Sequence, residues 1–226
     1  MDILLDLFFP KLCYGCRRPG SYLCLDCAQS IPRHRHICFV CRQASYQGLT
    51  HYYCQPGTHL TQLFVPLTYS PLIRKMINAI KLKKAYAIAS DLLSITITPQ
   101  LISILQKQSY SLITYIPAHP HKLRLRGFNL SEIFARKLSL LLNVPLQSLL
   151  QKNRLTTPQS ELSAVAHTLN LNNAFHPTFM AHSFQNAKIL LVDDILTTGT
   201  ILEVAADVLQ KGYTPSAISA FVLCAK

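Results

Sequence analysis

Apolar residues between positions 60 and 106 fall into patterns of two kinds. Residues 60–69 form a short run typical of a β-strand. From Leu72 onward, apolar residues at positions 73, 76, 77 and 80 recur at the spacing of one helix face, which predicts an amphipathic helix. Residues 91–106 predict a further helix, which Pro99 bends or ends.

After residue 108, strand-like and helical patterns alternate. The predicted elements, in chain order, are a strand at 112–116, a loop at 117–127, a helix at 130–142 capped by Asn129, a strand at 188–192, a helix at 200–211 ended by Gly212, and a strand at 216–223. Such alternation predicts an α/β fold with a mostly parallel sheet covered by helices on both faces. Ligands of such sheets bind at the carboxyl ends of the strands.

Composition narrows the class of protein without changing this picture. Half of the 226 residues are apolar and 14% are charged, which is typical of a globular chain and excludes a disordered tail. No apolar run reaches the ~18–20 residues of a membrane span. The start carries Asp2 and Asp6 where a secretory signal needs positive charge. We therefore expect no membrane span and a soluble, cytoplasmic protein.

Seven of the eight cysteines lie before residue 55, with two-residue spacings that recur. Two intervening residues let a tight turn aim two side chains at one tetrahedral ion, and two such turns complete a zinc site. Because no export signal is expected, metal is favoured over disulfides. The predicted ligands are Cys13, Cys16, Cys24 and Cys27 for a first site, and Cys38, Cys41, His51 and Cys54 for a second.

Residues 1–59 are interpreted as a small zinc-ribbon module, with two alternatives left open. The first cysteine pair could share an ion with the third pair, and His51 could be an ordinary surface histidine. About 60 residues bury little apolar surface, so the zinc is predicted to be structural, in closed four-ligand sites. Cys224, alone in an apolar run, is predicted to lie in the core.

The net charge of +12 is unevenly placed. Between Asp26 and Asp91 there is no carboxylate, while Lys and Arg occur eight times. Such a field attracts polyanions, since each neutralised phosphate releases counterions; the alternative is that the charge only keeps the protein in solution. The predicted helix near residue 72 carries five cations without an acidic partner, which favours nucleic-acid binding over a solvated face. They are Arg74, Lys75, Lys81, Lys83 and Lys84.

The most informative motif is KILLVDDILTTGT at residues 188–200. It predicts a buried strand that ends at two carboxylates, Asp193 and Asp194, which we call the acid pair. The four residues of a phosphate loop then lead into a helix: Thr197, Thr198, Gly199 and Thr200. Free N–H groups and the helix dipole favour a phosphate there. The acid pair can accept hydrogen bonds from a sugar diol or hold Mg²⁺ through water. An acidic pocket of response-regulator type is the alternative, which the TTGT sequence disfavours.

This motif resembles the phosphoribosyl pyrophosphate (PRPP) motif of type I phosphoribosyltransferases. Together with the cysteine pairs, the rest of the chain is similar to the ComF family over essentially its whole length. The further matches, in chain order, are RGFN at 126–129, Gln159, Leu162-Ser163, Asn170 and Ala174-Phe175. The resemblance implies a phosphoribosyltransferase-like domain at residues 60–226 after the zinc-ribbon module.

By the same resemblance, the acid pair would be catalytic and face the ribose hydroxyls, with Mg²⁺ accompanying PRPP, and the phosphate loop would bind the 5-phosphate. The loops that would bind pyrophosphate contain Ala118 and His119, and then Lys122, Arg124 and Arg126. Lys122 and Arg124 are also assigned to DNA binding.

Two positions depart from the family pattern. His167 stands where the family usually has an arginine, which leaves a phosphate contact there in doubt. Thr197 stands where purine-salvage relatives have an acidic general base, which disfavours hypoxanthine or guanine salvage.

Three functions follow from the resemblance and the charge. The first is a DNA-uptake protein of natural transformation that handles single-stranded DNA on the cytoplasmic side and has a PRPP or phosphate site. The second is an active Mg²⁺-dependent phosphoribosyltransferase with an unknown acceptor. The third is an adaptor whose zinc ribbons dock a DNA-translocating ATPase. We favour the first.

Overall fold

The structure, a computed structural model, describes residues 10–83, 86–152, 174–178 and 184–226. The cysteine-rich segment has little regular structure: helix α1 (Leu25–Gln29) and two 3₁₀ turns, Tyr46–Gly48 and Tyr52–Gly57. The main sheet begins directly after it.

Strands and helices alternate through the remainder of the described chain. They are β1 (Leu60–Phe64), β2 (Leu67–Thr68), α2 (Pro71–Lys83), α3 (Tyr86–Thr96), α4 (Pro99–Gln106), β3 (Leu112–Tyr115), α5 (Pro120–Arg126), α6 (Leu130–Leu142), β4 (Leu150–Lys152), β5 (Phe175–Pro177), β6 (Lys188–Leu196), α7 (Thr200–Tyr213) and β7 (Ala217–Ala225).

The main sheet has the order β1-β7-β6-β3, and β2 also pairs with β7; all of these pairings are parallel. A separate pair, β4 and β5, is antiparallel. Because β3 and β6 are parallel neighbours, with Tyr115 opposite Val192, their carboxyl ends leave the sheet side by side. The loops that follow these two strands therefore meet at one edge.

Both faces of the sheet are buried, which is why its strands are nearly continuous apolar runs. Alternate residues of β6 point to opposite sides: Leu190 and Val192 pack in one core cluster, and Ile189 and Leu191 in the other. The helix residues predicted to face inward at 73, 76, 77 and 80 are all buried in the first cluster. The predicted α/β class with a mostly parallel sheet is confirmed.

The prediction of a loop at 117–127 is wrong in part, because this segment contains helix α5. Pro120 stands at the first helical position, where its missing N–H costs nothing, and Gly127 ends the helix with a φ of 80°. Asn129 does not cap α6 with its side chain; its Nδ2 donates to the Ile116 carbonyl instead, at 2.8 Å.

Three predicted boundaries also differ. Strand β6 continues to Leu196 because residues beyond Val192 still pair with β7. Helix α7 passes through Gly212, where a Cβ would lie only 3.2 Å from Pro177, and ends at Thr214 in the left-handed conformation. Pro99 begins a new helix, with the Thr98 hydroxyl as its cap.

Within the described ranges, no single helix is long and apolar enough to cross a membrane. The segments Ala87–Thr96 and Pro99–Gln106 satisfy the criteria of length and composition only when taken as a pair, and they are bent by 72° relative to each other.

Candidate functional site

The structure brings the predicted metal ligands together as two clusters of four, in chain order. In the first cluster, the Sγ atom of Cys24 lies 3.7 Å from that of Cys13 and 3.5 Å from that of Cys16. A tetrahedral ion with Zn–S bonds of ~2.3 Å separates its sulfurs by about 3.8 Å, whereas a disulfide bond is ~2.05 Å long. The spacing therefore fits a metal such as zinc and excludes disulfides within this cluster.

In the second cluster, the ring of His51 is oriented as a ligand. Its Nδ1 lies 3.3 Å from the Cys41 Sγ, and its Nε2 lies 3.2 Å from the Ala44 carbonyl oxygen. A proton on Nε2, donated to that carbonyl, makes Nδ1 the acceptor atom of the ring. The Tyr53 hydroxyl lies 3.1 Å from Nδ1, so it would have to give up this contact for a metal to bind there. Tyr53 stacks on the ring with centroids 5.2 Å apart. Three cysteines and this histidine thus form a set that could hold zinc.

The first cysteine of each cluster is favoured as a thiolate. Burial acts to raise the pKa of Cys13, but the backbone N–H groups of Cys24, Cys16 and Gly15 outweigh it and lower the pKa to about 6. Burial likewise acts to raise the pKa of Cys38, but backbone N–H groups outweigh it and lower this pKa to about 7. Thiolate is the form in which cysteine binds a metal.

The acid pair lies inside β6, before the strand ends. The Oδ1 of Asp193 accepts hydrogen bonds from the Ser131 hydroxyl at 3.0 Å and from the Asp194 N–H at 2.8 Å. Burial first, and the Asp194 carboxylate second, raise the pKa of Asp193 to about 7. Asp194 is less buried and forms an ion pair with Lys81 of α2. One carboxylate is thus held by the protein, and the other faces a cation.

The phosphate loop joins β6 to α7. Gly199 has a φ of 88°, which a residue with a Cβ adopts only with strain. The hydroxyls of Thr198 and Thr200 lie 2.9 Å apart. Glu203, the acidic residue in the first turn of α7, is engaged elsewhere, since its carboxylate accepts the Thr58 hydroxyl at 2.6 Å. Its carboxylate is therefore held by the Thr58 hydroxyl and the His59 N–H.

Two cations act on the acid pair, since Lys81 and Lys152 both interact with Asp193, and two more lie next to these cations. The pKa of Lys122 is lowered by burial first and then by the charges of Arg126 and Lys81. The pKa of Lys152 is lowered by burial first and then by Lys122, while Asp193 acts in the opposite direction. These side chains come from α2, α5 and β4.

Sequence reasoning did not single out Lys152. It is 8% exposed, and its ammonium lies 5.2 Å from the centre of the Phe175 ring. It lines a pocket of about 350 Å³ together with Pro117 and Ala118, which belong to the predicted pyrophosphate loop. A lysine in a short QK segment has no local signal of burial, so only the folded sheet reveals it.

His119 caps α5, and its Nδ1 accepts the N–H of His121 at 3.1 Å. The loop that contains Ala118 and His119 therefore ends in a fixed turn. It leaves β3 beside β6, where the Ile116 N–H donates to the Val192 carbonyl at 2.9 Å.

The structure divides the predicted DNA-binding residues. Lys81 pairs with Asp194 and Lys122 is half-buried near Lys81, whereas Arg74, Lys75 and Arg124 are exposed. The Lys83 side chain and Lys84 lie outside the described residues, as do the family matches Gln159, Leu162-Ser163 and Asn170 and the departure His167.

An unpredicted contact connects the second metal cluster to the phosphate loop. The Arg42 guanidinium donates to the Thr198 carbonyl at 2.7 Å, across 156 residues of sequence. A Cβ on Gly199 would lie 2.8 Å from both the Arg42 Nη2 and the Phe39 ring. The spacing C-x2-C-R was visible in the sequence, but nothing local shows where that arginine points.

Comparisons with known proteins agree with this architecture. Residues 126–226 match the family described as the phosphoribosyl transferase domain. Competence protein F of Haemophilus influenzae is 31% identical over 97 residues, which are 42% of this chain and 42% of that protein. The matched region thus spans less than half the length of that relative.

Two solved structures match this chain at low similarity. A purine phosphoribosyltransferase from Pyrococcus horikoshii is 16% identical, covers 62% of this chain and 83% of its own, and has a TM-score of 0.36. A hypoxanthine phosphoribosyltransferase from Staphylococcus aureus is 18% identical, covers 61% and 65%, and has a TM-score of 0.38. No substrate follows from likeness this weak. The domain match, the competence protein F match and the cysteine clusters confirm the resemblance drawn from the sequence: the chain is ComF-like, with a phosphoribosyl transferase domain at residues 126–226 and two N-terminal clusters that could hold a metal such as zinc.

Proposed function

We propose that this chain binds a phosphorylated ribose of PRPP type, and that it uses this site while handling single-stranded DNA during natural transformation, on the cytoplasmic side. The observation that carries the ligand proposal is the proximity of the acid pair, the phosphate loop that follows it in the chain, and two cations, Lys81 and Lys152, that act on Asp193. A ligand that carries both hydroxyl and phosphate groups could contact all three.

Each part of such a ligand has a chemical counterpart. The phosphate loop offers N–H groups and threonine hydroxyls to a terminal phosphate at the N-terminus of a 14-residue helix. The half-buried carboxylate of Asp194 can accept hydrogen bonds from ribose hydroxyls. Lys122, Arg126 and Lys152 can neutralise a diphosphate beside Ala118.

Magnesium fits this site only in a restricted way. Asp193 already accepts two hydrogen bonds at Oδ1, and Asp194 is paired with Lys81. A Mg²⁺ ion held through water by Asp194 would therefore have to displace Lys81, or else reach the site bound to the diphosphate of the ligand. When bound, the ion would supply charge neutralisation for the leaving pyrophosphate.

Binding can be tested by calorimetric titration of the full chain with PRPP and Mg²⁺. We expect saturable binding in the wild type and a loss of about tenfold or more in Asp194→Asn, because a charged partner of the ligand is removed. Lys107→Glu, at an exposed site outside this edge, is the matched control. Equal affinity in wild type and Asp194→Asn would refute the proposed ligand site.

A second candidate, an active transferase, is favoured by the coexistence of an intact acid pair and phosphate loop. A measurement of pyrophosphate release from PRPP distinguishes an active transferase from a protein that only binds PRPP. Binding without release, in the presence of candidate nitrogen nucleophiles, would indicate a sensing role, whereas release that depends on Asp194 would indicate turnover.

The DNA proposal rests on exposed cations as well as on the family resemblance. Arg74 and Lys75 are exposed on α2, and Arg124 is exposed on α5. Charge reversal at Arg74 and Lys75 should weaken binding of single-stranded DNA and reduce its salt dependence, because fewer phosphates are neutralised. Fluorescence anisotropy over a salt series measures both. An unchanged affinity and salt slope would remove this helix from the DNA surface.

A further inference from the structure

The contact between Arg42 and Thr198 fixes the orientation of one peptide group in the phosphate loop. The Thr198 carbonyl oxygen and the Gly199 N–H belong to one trans peptide unit and point in opposite directions. Because Arg42 holds the oxygen at 2.7 Å, the N–H is turned away from Arg42. A phosphate needs the N–H, and it would be repelled by the oxygen.

Gly199 allows this approach. Its neighbours at the position of a missing Cβ are the Arg42 Nη2 at 2.8 Å and two ring atoms of Phe39 at 2.8 and 3.0 Å. The Phe39 ring is itself buried and lies 5.1 Å from the Arg42 guanidinium carbon. The phosphate loop is therefore packed directly against residues that neighbour the second metal cluster.

Arg42 has little freedom of its own. It follows the metal-ligand candidate Cys41 and has a φ of 61°. Its N–H donates to the Cys38 carbonyl at 3.1 Å, and the Cys38 N–H donates to the Gln43 carbonyl at 2.8 Å. A metal bound by Cys38 and Cys41 would keep this turn closed and would thereby fix the direction of the arginine.

We propose that the second metal cluster is a working part of the phosphate site, in which Arg42 is a positioning residue that orients the Thr198–Gly199 peptide for an anion. The effect on ligand affinity rests on the proposed phosphorylated-ribose site. The effect on the loop itself does not, so the two can be tested separately.

The test compares the full zinc-loaded chain with Arg42→Ala, Arg42→Lys and Arg17→Ala. Arg17 is the matched control because it occupies the same place after Cys16, has a φ of 67° and is exposed. Calorimetry with ribose 5-phosphate measures affinity. Amide hydrogen exchange of a peptide that covers residues 197–200 measures order in the loop, and metal content shows that both clusters are intact.

We expect Arg42→Ala to weaken ribose 5-phosphate binding by about tenfold or more and to accelerate exchange in the loop, with both metals retained. Arg42→Lys, which keeps a charged donor, should recover part of both losses. Arg17→Ala should change neither. Recovery of affinity and of slow exchange in Arg42→Lys would indicate that Arg42 positions the loop through its hydrogen bond. A general loss of stability at this turn would not be reversed by lysine.

Wild-type affinity and wild-type exchange in Arg42→Ala would overturn the inference while leaving the ligand proposal intact. If the wild type binds no ribose 5-phosphate, the ligand proposal fails, and the exchange measurement alone decides the inference. Should Arg42→Ala lose metal, Arg42→Met, which keeps the length of the side chain but has no N–H to donate, carries the test. Wild-type affinity and wild-type exchange in Arg42→Met with both metals retained would overturn the inference.

Discussion

The turns at residues 13–18 and 38–43, here called the first and second knuckles, have the same backbone and different neighbours. In each, the first cysteine donates its N–H to the carbonyl five residues on, and the arginine after the second cysteine donates back to the first. Both arginines, Arg17 and Arg42, have φ between 60° and 70°. The local sequence C-x2-C-R accounts for this likeness.

The neighbours of the two knuckles separate their roles. Around the first, a Cβ on Gly15 would lie 2.5 Å from the Cys27 Sγ and 3.4 Å from Leu72 of α2, so the glycine is there for space and not for an unusual φ. Around the second, Val40 occupies the equivalent position, and the adjacent Phe39 and Arg42 contact the phosphate loop. One knuckle supports helices, and the other supports the candidate ligand site.

Removing one ligand from each cluster should give the largest contrast. Cys16→Ser and Cys41→Ser change the second cysteine of the first and second knuckles. Each should lose one equivalent of metal and stability on the order of several kcal/mol, since metal binding contributes to folding. Only Cys41→Ser should also abolish binding of ribose 5-phosphate. Metal analysis, thermal unfolding and calorimetry measure the three quantities.

Equal losses of ligand binding in the two variants would show that the knuckles act as one unit. In that case the different surroundings of Arg17 and Arg42 would have no separate consequence for the site.

A smaller effect is expected where the second knuckle packs on the loop. Gly199→Ala adds a strained φ, at ~1–2 kcal/mol, and a clash with Phe39 and Arg42, at ~1–3 kcal/mol. Gly127→Ala is the control, because its φ of 80° is similar and nothing lies within 4 Å of an added Cβ. The difference in free energy of unfolding between the variants, from urea titrations, isolates the packing of the knuckle. Equal free energies of unfolding for the two variants would mean that the second knuckle is not tightly packed against the phosphate loop.

The contrast also shows what the sequence could predict. Cysteine spacing encodes each turn locally, so the candidate ligands of both clusters could be predicted without a structure, but the pairing of the turns and the role of His51 stayed open. The strand-loop-helix at 188–200 was likewise visible, because apolar runs and glycine act over a few residues. The contact of Arg42 with Thr198, the pairing of Lys81 with Asp194 and the burial of Lys152 depend on residues far apart in the chain. No periodicity records such contacts, so Lys81 was assigned to a DNA surface.

Helix α2 connects the first knuckle to the candidate ligand site. Leu72, near its start, neighbours the first knuckle, and Lys81, near its end, pairs with Asp194. A change in the first knuckle could therefore reach the acid pair through this helix. A pH profile tests this. The folded pKa of Asp193, about 7, lies above its ordinary value of 3.8, chiefly because of burial. Its contribution to stability is therefore complete below pH 4 and is lost as the pH rises through about 7.

We expect the wild type to lose on the order of a few kcal/mol relative to Asp193→Asn between pH 4 and 7. Urea unfolding at a series of pH values gives this difference and cancels the titration of the histidines. Lys81→Met should move the loss to higher pH, since Lys81 lowers the pKa of Asp193. If Cys16→Ser also changed the pH at which this stability is lost, the first knuckle would be coupled to the acid pair through α2.

The smallest effect is expected for the contact that ties the chain just after the first knuckle to helix α3. Asp91 of α3 accepts the N–H groups of Tyr22 at 2.9 Å and Leu23 at 3.2 Å through one carboxylate oxygen. Asp91→Ala leaves both donors without this acceptor, so we expect a loss of ~1–3 kcal/mol in the free energy of unfolding. Asp91→Asn keeps an amide oxygen and should lose less. Because this anchor lies apart from the phosphate loop, ribose 5-phosphate affinity should stay within about twofold of wild type even as stability falls. A parallel fall in affinity would instead place the first knuckle in the same cooperative unit as the second.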